Sequence, residues 1–151
     1  MSRIEAAVIG IVIILSLVQI PLDLRTRTLS RRATLFATIV VVLALAVETI
    51  SSESVRRLSL AAVMTLLVGV AYFLLHRLST YALGLGDVLL VIPLTLAVSY
   101  GGVEPVLYWQ LMAACSGALH AVVMRVWRRE SSIPFGPHLL LAALAVLVAS
   151  V

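Results

Sequence analysis

Residues 4–25 read IEAAVIGIVIILSLVQIPLDLR. From Ile4 to Leu22 the run is apolar almost throughout, and it matches the roughly 20 residues that a membrane helix needs. Arg3 ahead of it is how a secretory signal would begin. The run is longer than a typical signal core, however, and has no small-x-small cleavage site before Pro21, so 4–22 is read as a retained helix. Further apolar runs follow at about 33–50, 58–75, 88–100, 106–126 and 137–151. The composition agrees: 62% of the 151 residues are hydrophobic and 12% charged, with a mean hydropathy of +1.16. Soluble domains average about 45–50% and 25%. A soluble globule of this composition would leave large apolar patches wet. That class is excluded, as are a disordered tail and a disulfide scaffold. The expected fold is an all-α polytopic membrane protein with six transmembrane helices, one membrane-embedded domain over 1–151 with no room for a separate soluble domain.

The arginines set the expected topology. There is no lysine, and the net charge is +4. Arg25, Arg27, Arg31, Arg32, Arg77, Arg125, Arg128 and Arg129 fall in the connections on one side of the six runs. Arg3, Arg56 and Arg57 fall on the other, diluted by Glu5, Glu48, Glu53 and Glu104. The positive-inside rule puts the first set in the cytoplasm and both termini outside. Basic charge so placed serves topology and anionic membrane lipid, and no nucleic-acid partner is expected. Cys115 is the single cysteine, which rules out an internal disulfide and a cysteine zinc site. No Cys/His/Glu set has ligand spacing, so neither metal nor cofactor is expected. Tyr108, Trp109 and Trp127, near the ends of the fifth run, read as interfacial anchors. Gly69 and Gly117 would allow close helix contacts.

The chain has only two aspartates. Asp23 follows the first run directly, and Asp87 opens the fourth in Gly84-Leu85-Gly86-Asp87. Both fall at the same membrane face. An N-cap role suits Asp87 but not Asp23, which follows its helix. An acidic group at membrane depth is a functional-site hypothesis by default. Two adjacent carboxylates share a proton. The ionised one can then activate water against a peptide carbonyl, while the protonated one serves the oxyanion and the leaving amine. Gly84 and Gly86 would let an extended substrate come close to the carboxylate, or they simply break the chain ahead of the helix. His76 and His138 fall near the same face, and His120 lies within the fifth run.

Three segments together resemble the type IV prepilin peptidases, within the G-x-G-D intramembrane aspartyl proteases. They are Asp23-Leu24-Arg25 followed by Leu29, the Leu83–Asp87 box, and Ile133-Pro134-Phe135-Gly136-Pro137. The departures are Ser30-Arg31 where that family has Pro-Asn, Leu89 where it has lysine, and His138 where it often has phenylalanine. The resemblance implies a leader peptidase of a type IV pilus or secretion system, multi-pass in the cytoplasmic membrane of a bacterium or archaeon. Its catalytic pair would be Asp23 and Asp87, with Gly84, Gly86, Arg25, Pro134 and Gly136 shaping the site. Its substrates would be prepilin-like proteins with a short basic leader, a glycine and an apolar helix. With one cysteine and no spare length, a peptidase-only form without the zinc-bearing methyltransferase segment is expected. Two rival classes stay open: a degenerate, non-catalytic homologue that binds pilin or assembly components, and a small transporter, whose acids would sit near the bilayer midplane.

Overall fold

A computed structural model of the protein describes residues 3–26, 28–52, 55–78, 83–127 and 134–150. Arg27, Glu53, Arg128, Arg129, Ile133 and the side chains of Arg3 and Trp127 lie outside the described set. The elements are six helices: α1 (Arg3–Thr26), α2 (Arg31–Ser52), α3 (Val55–Leu78), α4 (Leu85–Ser99), α5 (Val103–Trp127) and α6 (Gly136–Ala149). No strand occurs among the described residues.

Four helices, α1, α2, α3 and α5, are long and apolar enough to cross a membrane. The other two, α4 and α6, have 15 and 14 residues. At 1.5 Å per residue they rise only about 21–23 Å, less than the roughly 30 Å hydrocarbon core. Both lie at the centre of the bundle. α4 is buried along nearly all of its length, as a helix apolar on every side should be. It packs against α2, α3, α5 and α6, and α6 packs against α1, α4 and α5. The long helices flank this centre and keep Leu17, Phe36, Leu66 and Leu119 exposed on their outer faces, as lipid-facing surfaces require.

Helix direction alternates along the chain. At one end of the bundle Glu5, Glu48, Arg56 and Pro105, from α1, α2, α3 and α5, and Tyr100 and Ser150, which cap α4 and α6, line a cavity of about 590 Å³. The opposite end gathers the last turns of α1, α3 and α5 and the first turns of α2, α4 and α6. Arg25, Arg31, Arg32, Arg77 and Arg125 stand in end turns of that second group of helix termini, not in loops between helices.

Three expectations change on contact with the structure. The first helix does not stop at Leu22 but runs to Thr26 with Pro21 inside it. A proline removes one helical N–H, a loss that membrane helices tolerate. The Thr26 hydroxyl donates to the Leu22 carbonyl at 2.9 Å and helps close the last turn. Trp109 is not an interfacial anchor. It is fully buried, and its indole N–H donates to the Leu139 carbonyl at 2.9 Å, tying α5 to α6. Tyr108 beside it is exposed and donates to Glu104. Trp109→Phe keeps an aromatic ring but loses that bond. It should lower stability in detergent by about 1 kcal/mol, the net worth of one hydrogen bond, read as a lower melting temperature. Of the two glycines, only Gly117 makes a close contact: a Cβ there would stand 2.6 Å from the Phe135 ring, whereas one at Gly69 would meet nothing within 4 Å.

Candidate active site

Asp23 lies in the last turns of α1 and is buried, not beyond the helix end. Asp87 is the third residue of α4 and is likewise buried. It is not the cap expected of it: Gly84 holds the cap position, with no side-chain cap bond. The Asp87 backbone N–H instead bonds the Gly84 carbonyl at 3.1 Å. Both carboxyl groups therefore remain available for something other than closing a helix.

They meet at Gly136, the first residue of α6. A Cβ built on Gly136 would stand 2.9 Å from Asp23 Oδ2 and 3.4 Å from Asp87 Oδ1. The two oxygens thus lie around one point, no farther apart than the sum of those distances. The Gly136 amide lies against the Asp23 carboxyl and the Gly84 amide against that of Asp87. Asp23 Oδ2 is nevertheless buried with no hydrogen-bond partner. Leu29, from the α1–α2 connection, closes the remaining side. Its side chain is 3.2 Å from the same Gly136 position and 3.1 Å from where a Gly86 Cβ would be. A Gly84 Cβ would approach Asp87 Oδ2 to 3.2 Å.

Of the residues expected to form the site, the structure gathers Asp23, Asp87, Gly84, Gly86 and Gly136. It leaves two aside. Arg25 is exposed in the last turn of α1, with no ion pair to either aspartate among the described residues. Pro134 is half-buried just ahead of α6, with no described contact to the carboxyls. His76 is buried, and its Nδ1–H donates to the Leu83 carbonyl at 2.6 Å, holding the start of the Gly84–Asp87 segment against α3. His138 is engaged elsewhere: its Nε2 is 2.9 Å from His120 Nδ1 and its own Nδ1 is 3.1 Å from Ser116 Oγ. The residue at the family's phenylalanine position therefore joins α6 to α5.

Sequence reasoning missed Gln19, Tyr72 and Gln110. Tyr72 is buried on α3, and its hydroxyl donates to Gln110 Oε1 at 2.7 Å. The signal was available: a polar side chain inside an apolar membrane helix needs a partner or a purpose.

Fold and site together define a polytopic helical membrane protein with a buried carboxyl pair at one end of its bundle. The sequence profile of the type IV leader peptidase family matches residues 6–122, and the chain belongs to that family. Membership makes it a protease of the prepilin peptidase type. The matched stretch contains Asp23 and the whole Gly84–Asp87 segment, and it ends before Pro134. No curated protein and no solved structure matches the chain.

Proposed function

We propose that this protein is a membrane aspartyl endopeptidase that removes the short leader of prepilin-like proteins at the cytoplasmic face. In this reading all six helices cross the bilayer and both termini lie outside. The observation that carries it is the convergence of Asp23 and Asp87 on the Gly136 backbone, in a chain of the leader peptidase family.

The ionised carboxyl takes a proton from a water molecule, whose oxygen attacks the scissile carbonyl. The protonated carboxyl donates to the developing oxyanion, and the proton is later delivered to the leaving amine. No covalent intermediate forms. Because Gly136 has no side chain, the substrate backbone can approach between the two acids. The apolar helix of the substrate stays in the bilayer beside the exposed outer faces, while its leader junction reaches the aspartate end. The arginines at that end would repel a basic leader, so they are assigned to anionic lipid.

The test is leader removal from co-expressed prepilin-like substrates carrying a basic leader, a glycine and an apolar helix. Cleavage should occur with the wild type and disappear in variants lacking either carboxyl. A folded wild type that leaves every such substrate intact would overturn the proposal.

A further inference from the structure

Gln19 is among the largest fully buried side chains of the bundle. It sits on α1 one helical turn before Asp23, hence on the same face. A buried amide without partners is costly, and this one is engaged at both ends. Its Oε1 accepts from the Ser30 backbone N–H at 2.9 Å, while its Nε2 donates to the Ser30 carbonyl at 3.0 Å and to Thr34 Oγ1 at 2.9 Å. Ser30 also stands at the cap position just ahead of α2. Its hydroxyl accepts from the Ala33 N–H at 3.3 Å, and its carbonyl from the Thr34 N–H at 3.0 Å. Gln19 thus grips both backbone groups of the residue capping α2.

The next residue back is Leu29, the one wedged between Gly86 and Gly136. Fixing Ser30 on α1 fixes where Leu29 enters. The same grip sets the rotation of α1 about its axis, and with it the direction of Asp23. We infer that Gln19 is a positioning residue, aiming Asp23 and seating Leu29 so that the two carboxyls meet at Gly136. The inference rests on the catalytic reading of Asp23 and Asp87.

Gln19→Leu keeps the bulk and removes all three bonds. Thr34→Val removes only one of them. Cleavage rates are measured on monodisperse, folded protein alongside melting temperature. A misplaced catalytic group lowers kcat, whereas lost ground-state binding raises KM. Gln19→Leu should lower kcat about tenfold or more, the scale of a sub-ångström displacement, with KM within about twofold. Thr34→Val should lower kcat by less and in the same way. A folded Gln19→Leu with wild-type kcat and only a lower melting temperature would overturn the inference and leave Gln19 purely structural. Should Gln19→Leu fail to fold, Thr34→Val decides: reduced kcat at unchanged KM supports positioning, and unchanged kcat rejects it. Asp23→Asn in the same assay separates the two levels. If it cleaves normally, the catalytic reading fails. If it is inactive while folded Gln19→Leu keeps its kcat, only the positioning role fails.

Discussion

Asp23→Asn and Asp87→Asn, made one at a time, are each expected to abolish leader removal and leave the fold intact. Asparagine keeps the shape of the side chain but can neither carry the negative charge nor pass on a carboxyl proton. General acid–base catalysis contributes roughly 10²–10⁴-fold for each group, so either single variant should fall below detection in a gel assay. Two groups acting in one step are not additive, and the double variant should be no worse than either single one. The fold survives for a reason visible at the site. Asp23 Oδ2 is buried without a hydrogen-bond partner; an asparagine keeps the other oxygen for the Gly136 amide and takes a chargeable group out of a buried position. The melting temperature of Asp23→Asn should therefore equal or exceed that of the wild type. Cleavage that persists in both single variants would remove the carboxyl pair from the mechanism.

The pairing of those aspartates was legible in the sequence because it needed only a count of membrane crossings and the side on which each acid falls. The same logic separated the described arginines between the two ends of the bundle, with Arg25, Arg31, Arg32, Arg77 and Arg125 at one and Arg56 and Arg57 at the other. Arg25 stands apart from the carboxyls for a geometric reason. Its spacing of two residues from Asp23 suggested a neighbour, but α1 continues to Thr26, and residues two apart on a helix do not face each other. Had the chain left the helix at Leu22, that proximity argument could have held. Trp109 was misplaced because its depth depends on which helix α5 packs against, and periodicity alone does not name a partner. Gln19 went unnoticed for a similar reason: its significance lies in Ser30 and Thr34, which are remote until α2 folds back on α1. Ser30 itself looked like a loss, standing where the family has proline. In the structure it supplies a helix cap and the backbone groups that Gln19 holds.

Gly136→Ala is expected to separate activity from stability more sharply than any other single methyl group in the chain. The added Cβ would stand 2.9 Å from Asp23 Oδ2, 3.2 Å from Leu29 Cδ2 and 3.4 Å from Asp87 Oδ1. The first approach is too close to persist, and something must shift. What shifts is the end of the short Asp23 side chain, with Leu29 following, because both are less firmly held than the helix backbone. The strain is thus relieved by moving the reacting group. A displacement of about 1 Å costs on the order of 10²-fold in rate, so cleavage should fall by about that factor while the melting temperature changes little. Gly86→Ala makes a useful comparison. Its Cβ would meet only Leu29, at 3.1–3.4 Å, and should cost less activity because the carboxyls are pushed only indirectly. Gly69→Ala, with nothing within 4 Å of the new methyl, should match the wild type. Rates and melts of the three variants on one substrate check the order. If Gly136→Ala cleaved as fast as Gly69→Ala, the carboxyl oxygens that crowd Gly136 would not be the ones that do the chemistry.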